Sequence, residues 1–245
     1  MSSIRLYRRE LNNSRFVSFR VVYRETDLWI AVGAGVPVPV LSAAAEKLVV
    51  KLRYNLDTYL HDHPHLKESL LPCPVAADSP AILKQMATAA NLAGVGPMAA
   101  VAGAFAEEVG SMLAGQSAEV IVENGGDLYI RVVEPVLVGL YAGSSEISGK
   151  LALRIKPEQS PLGVCTSSGT VGPSLSFGRA DAAVVLSSST ALADAAATAL
   201  GNLVSSPKDF DRALAAAEQI EGISGVLLVC GDKIAAWGEI ELTRV

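Results

Sequence analysis

The sequence predicts an α+β fold in which helices pack against antiparallel sheet, and three observations predict it. Strand-like and helix-like runs come in blocks, with no regular alternation of strand, helix and strand. The strand-like runs are joined by hairpin-type turns, of which Asn124-Gly125-Gly126-Asp127 is the plainest. Half of the residues are apolar but only 5% are aromatic, and much of the apolar content is alanine, a composition suited to closely packed helices. A chain of 245 residues can bury a substantial core. With no linker, solenoid period or low-complexity tract, residues 1–245 read as a single domain.

The elements follow in order. Residues 15–22 and 28–32 read as a hairpin around the polar turn Arg24-Glu25-Thr26-Asp27, closed by the proline-bearing stretch 35–39. Ser42 is placed to cap a long helix to about Leu60, because Leu48, Leu52, Leu56 and Leu60 recur every fourth residue. Pro64 stops it. Asp78-Ser79-Pro80 marks the next helix start, Gly94 its end, and Pro97 opens a further helix to about Leu113. Strands at 118–123, 128–133, 136–141 and 151–155 suggest an antiparallel meander. After the stretch 160–204, a helix from Pro207 to about Ile220 precedes a hairpin of 226–230 and 233–242 around Gly231-Asp232.

Charge excludes some functions. Twenty basic residues against 25 acidic ones leave a net charge of −5, which does not recommend nucleic acid. The uncharged run 85–106 is 22 residues long but rich in Ala and Gly and interrupted by Asn91 and Pro97, so it reads as a buried helix pair and no membrane span. Three widely separated cysteines without zinc spacing indicate a reducing compartment, and the first fifteen residues hold no apolar signal core. The expected location is therefore cytoplasmic. Homodimerisation is a further expectation, from high apolar content with few aromatics.

The chemistry concentrates between residues 120 and 204. The segment 163–172 offers Thr166, Ser167, Ser168 and Thr170 among glycines including Gly169, a composition that can turn backbone N–H groups and hydroxyls toward an anion. It is not a Walker loop, since five residues separate Gly163 from Gly169 and no Lys follows. Cys165 within it reads as a small buried residue at a strand end. Ser189 or Thr190 can cap the following Ala/Leu-rich helix, where Asp194 and Thr198 stand one turn apart and both oxygens can reach one hard cation. In Glu123-Asn124-Gly125-Gly126-Asp127, a hairpin turn and a ligand-facing turn are compatible readings. The stretch 94–99 fits GxGxxA but follows a helix, so it reads as a tight interhelical turn. His61, His63 and His65 are split by Pro64 and read as a polar helix end.

At ENGGD, at CTSSG and at the run Ala193-Asp194-Ala195-Ala196-Ala197-Thr198-Ala199, the chain resembles the ApbE superfamily of flavin transferases over roughly 91–204. GVGPMAAVAGAFAEEVG and CTSSGTVGPSLSFGRAD are similar to a UPF-type cytoplasmic branch with no assigned activity, a likeness covering most of the chain. The resemblance implies that Asp194 and Thr198 hold Mg²⁺ beside the pyrophosphate of FAD. It also implies that Glu123, Asn124, Gly125, Gly126 and Asp127, with Thr166, Ser167, Ser168 and Gly169, line the site of FAD or FMN.

The chain departs from the transferase pattern at three places. Ala102-Gly103 stands where a Lys-Gly pair is usual, Ser176 to Asp181 lacks the His and Asp-Pro, and Pro173 stands where the branch carries a histidine. Two functions follow. One is a flavin or nucleotide-phosphate binding protein, with FMN transfer to an acceptor protein as its reaction. The other is a non-catalytic accessory or assembly subunit, which the resemblance links to sulfur assimilation.

Overall fold

The computed structural model describes residues 15–169 and 178–245. Strands β1 (Phe16–Tyr23) and β2 (Thr26–Gly33) form the first hairpin, and its turn is tighter than the sequence suggests. Tyr23 pairs with Thr26, so only Arg24 and Glu25 turn, and Arg24 takes φ of +54° to make this possible.

Helix α1 (Val38–Asp62) starts earlier than expected. Pro37, not Ser42, sits at its N-cap without a side-chain cap, and Pro39 fits the first turn because no N–H is needed there. The short α2 (Pro64–Glu68) follows. Helix α3 (Ala81–Ala93) starts after Pro80, and the expected side-chain cap is absent: Ser79 Oγ is buried without a hydrogen-bond partner. It ends at Gly94, whose φ of +73° suits glycine. A 3-10 turn at Pro97–Ala100 leads into α4 (Val101–Ala114), and α3 meets this second helical stretch at 103°. Among the described residues no single helix is long and apolar enough to cross a membrane.

The second half supplies β3 (Val120–Asn124), β4 (Asp127–Arg131), β5 (Val136–Gly139), β6 (Leu151–Ile155), β7 (Leu162–Ser167) and β8 (Ala182–Ser187). Helices α5 (Thr190–Leu203) and α6 (Phe210–Ala217), then β9 (Ile223–Cys230), β10 (Lys233–Gly238) and β11 (Leu242–Arg244), complete it. The 3-10 turn Pro207–Asp209 precedes α6, so Pro207 opens that turn and the helix itself is shorter than expected.

Two sheets result, both antiparallel. One holds eight strands in the order β1-β2-β3-β4-β7-β8-β9-β10; the other holds three in the order β11-β6-β5. The expected meander is therefore broken, because β4 pairs with β7 while β5 and β6 leave for the second sheet. The physical reason is the second face of the large sheet. Ile130, Val164, Val184 and Val229 point away from the helices, and Val136, Leu153 and Ile155 cover them. The terminal run also divides: at Gly238, with φ of +74° and Ser224 O only 2.2 Å from where a Cβ would lie, the chain leaves β10 and crosses to β6.

The helices occupy the opposite face. Helices α1 and α4 pack with Leu28, Ile30, Val120 and Val122, and α5 and α6 with Cys165, Val185, Val226 and Leu228. A third cluster lies mainly between helices around Met86, Phe105 and Leu192. The result is an α+β architecture in three layers, helices, large sheet and small sheet.

Candidate functional site

The site begins with a hairpin. Asn124 pairs with Asp127, so Gly125 and Gly126 alone form the β3–β4 turn, at φ of +72° and +111°. Two consecutive positive φ values are what a type I′ turn demands, which explains both glycines. Among the described residues no heavy atom lies within 4 Å of the Cβ position of either glycine. Glu123 is buried and accepts the Gly126 N–H at 2.9 Å, which commits one of its oxygens to holding the turn.

The hairpin docks against the first turn of α4. Asn124 Nδ2 donates to Ala102 O at 3.1 Å. One residue on, the Gly103 N–H donates to Asp194 Oδ2 of α5 at 2.8 Å. Helix α5 is seated by its own cap, because Ser189 Oγ accepts the Leu192 N–H at 3.3 Å. Of the two expected caps, Ser189 is the one used; Thr190 Oγ1 is buried without a partner.

The third wall is β7, and here the sequence reading needs correction. Gly163 to Ser167 belong to a strand, not to a glycine loop. Gly163 is small because Thr190 Cα stands 2.5 Å from its Cβ position; it is a packing contact between β7 and α5. Thr166 donates its N–H to Asp127 Oδ1 at 3.3 Å. Ser167 lies toward the Thr198 end of α5, its Oγ 3.5 Å from the Cβ position of Gly201. Ser168 and Gly169 follow the strand, and the Gly169 N–H donates to Ala180 O at 2.9 Å. Thr170, Gly172, Pro173, Ser176 and Phe177 lie outside the described residues.

Asn124 and Asp194 thus meet at Ala102 and Gly103, Asp127 lies near Asp194 and is bonded to Thr166, and Thr198 stands half-buried one turn along α5. The electrostatics are those of an acidic centre held by backbone N–H groups. Burial pushes the Asp194 carboxyl well above its ordinary range, and the neighbouring charge of Asp127 adds to this. The N–H groups of Gly103 and Ala102 oppose the shift without cancelling it. Cys165, fully buried, responds alike: burial, then Asp127, then Asp194 raise its thiol. Its Sγ donates to Thr190 O at 3.4 Å.

Sequence reasoning gave Ala102-Gly103 only as a departure from the transferase pattern, without a place in the site, and it missed Glu107, whose Oε2 accepts the Ala191 N–H at 3.0 Å. His63 and His65 meet edge to face at 6.2 Å and the Tyr59 ring stacks on His63 at 4.1 Å, but no three of His, Cys, Asp or Glu assemble for a metal among the described residues. A surface hollow of about 500 Å³, lined by Lys150, Leu151 and Arg244, lies on the small-sheet side and shares no residue with this site.

A family model described as AbpE bacteria matches residues 8–241. The chain belongs to this family. It is also 44% identical over 202 residues to a UPF0280 protein of Methanocaldococcus jannaschii, covering 80% of this chain and 82% of that one. The ApbE-like fold is shown by two solved structures. The flavin transferase ApbE from Vibrio cholerae has a TM-score of 0.63 at 14% identity, over 91% of this chain and 96% of that one. The ApbE protein from Thermotoga maritima has a TM-score of 0.65 at 13% identity, over 90% and 96%. The family member described here therefore has an ApbE-like fold, and its acidic centre sits where α4, α5 and the glycine hairpin meet.

Proposed function

We propose that this protein is a single-domain, cytoplasmic binder of a flavin or nucleotide phosphate, FAD or FMN first, and that it uses a divalent cation, Mg²⁺. The observation that carries the reading is the meeting of two carboxyl groups at the start of α4: Asp127, which is buried, and Asp194, which is half-buried and whose carboxyl is pushed above its ordinary range by burial and the charge of Asp127. The fit to a hard cation is chemical: carboxylates and a hydroxyl are the oxygen donors such an ion takes. Asp194 and Thr198 would hold it, with Asp127 opposite. A carboxylate offers about four lone-pair sites, so the Gly103 N–H leaves Asp194 with capacity to spare. When bound, Mg²⁺ would neutralise a diphosphate and polarise the bond to be broken.

The chain's own residues would do the rest. Gly125 and Gly126 let the ligand approach backbone, Asn124 is held in orientation by Ala102 O, and Thr166, Ser167, Ser168 and Gly169 border the phosphate end. Glu123 acts through the turn it braces. The name of the Vibrio cholerae neighbour, a flavin transferase, supports flavin as the ligand and transfer as the reaction; FMN transfer to an acceptor protein is the form of it proposed for this chain.

A specific observation favours a second reading, a non-catalytic accessory subunit on the same fold. At position 102 an alanine offers the site only its backbone, so no amine is available there. Titration calorimetry of metal-stripped protein with FAD, with and without Mg²⁺, tests the binding common to both. Binding that requires Mg²⁺ and is lost in Asp194→Ala is expected; absence of binding under every condition would remove flavin. Release of AMP from FAD with an acceptor peptide present separates transferase from accessory subunit.

A further inference from the structure

The two helices at the site exchange carboxylates. Asp194 of α5 takes the Gly103 N–H in the first turn of α4, while Glu107, one turn further along α4, reaches the first turn of α5. There its Oε2 accepts the Ala191 N–H at 3.0 Å and the Ser189 hydroxyl at 3.1 Å. These are N–H groups that a helix leaves without intrahelical partners, and an anion is favoured at each N-terminus. Ser189 already caps α5 locally through Leu192, so the α5 cap does not depend on a residue from α4.

What Glu107 adds is register between the helices. They approach so closely at Gly103 that a Cβ there would lie 2.4 Å from Thr190 O and 2.7 Å from Asp194 Cβ. Close approach alone fixes distance but not sliding. A slip of α5 by one residue moves Asp194 by about 1.5 Å, enough to break its bond to Gly103. The Glu107 bonds lie one turn from the Asp194–Gly103 bond and oppose such a slip.

We propose that Glu107 is a positioning residue for Asp194: by holding the first turn of α5 from α4, it sets where the Asp194 carboxylate stands in the site. Its value to ligand binding rests on the cation reading above, whereas its effect on Asp194 does not. The test compares the full chain with Glu107→Ala and Glu107→Gln, since glutamine keeps an acceptor oxygen for Ala191. Two quantities are read: amide hydrogen exchange at Gly103, and Mg²⁺-dependent FAD affinity. In Glu107→Ala, Gly103 exchange rises about tenfold or more and FAD affinity falls about tenfold, while core amides of β8 stay protected. Glu107→Gln restores both.

Unchanged Gly103 exchange in Glu107→Ala overturns the proposal. So does acceleration spread equally over the β8 amides, which would mean general loosening. A wild type that binds no FAD removes the cation reading, and the Gly103 exchange then still decides Glu107 in either direction.

Discussion

Gly103 and Asp194 are joined by a hydrogen bond of 2.8 Å and by the absence of a side chain, for a Cβ at residue 103 would lie 2.7 Å from that of Asp194. The second obstacle is backbone, Thr190 O at 2.4 Å, which no rotamer change can relieve. Gly103→Ala, a substitution that ordinarily favours a helix, is therefore expected to cost about 1–3 kcal/mol through overpacking. A lowered midpoint in urea with an unchanged slope checks it; a stabilised protein would contradict the close approach.

Asp194 makes stability fall with pH in metal-free protein. Its native pKa is raised above the ordinary 3.8, so between the two values the folded state holds more protons than the unfolded state. The contribution is fully present below 3.8 and is lost as pH rises through the native value. Asp194→Asn should remove this slope and be the more stable protein at neutral pH in chelator. Melting curves of the two proteins across pH check the difference, which also subtracts the opposite trend of Glu119, whose carboxyl Arg15 holds below its usual range.

Cys165 should be the unreactive thiol of the three. It is fully buried, and burial with Asp127 and Asp194 raises its thiol well above the usual range; Cys73 and Cys230 are half-buried, although burial and Asp181 raise the Cys230 thiol as well. Brief alkylation of native protein at pH 8 is expected to label Cys73 and Cys230 well before Cys165, with all three labelled in denaturant. Mass spectrometry of the peptides reads the order.

Arg15 holds the crossing between the sheets. It forms an ion pair with Glu119 and donates to Pro135 O at 3.0 Å and Glu134 O at 2.7 Å, where the chain leaves β4 for β5. Arg15→Ala strands the mostly buried Glu119, and a loss of about 1.5–3 kcal/mol is expected from bonds to a charged group. Glu119→Gln in the same background should recover part of it, measured as a double-mutant cycle.

Much of this was legible in local pattern. The β3–β4 hairpin followed from Asn-Gly-Gly-Asp, because type I′ geometry restricts its residues, and the Gly94 and Ser189 helix boundaries followed from backbone terms equally local. Asp194 stood out because a carboxylate in an alanine helix has few surface reasons to be there. The strand at 182–187 was not legible, since a short apolar run buried on both faces carries no period, and of the strand 162–167 only an end at Cys165 was read.

The amino-acid sequence by itself determined the fold class, the glycine turn, the capped helix and the family, since these rest on periods, turn chemistry and motifs within a few residues. Tertiary structure alone decided that the meander breaks into two sheets, that Gly163 and Gly103 are points of close packing, and that Asp127 lies near Asp194. The reason is distance along the chain: the Gly103–Asp194 bond joins residues 91 apart, and such pairing is set by which faces must be buried together.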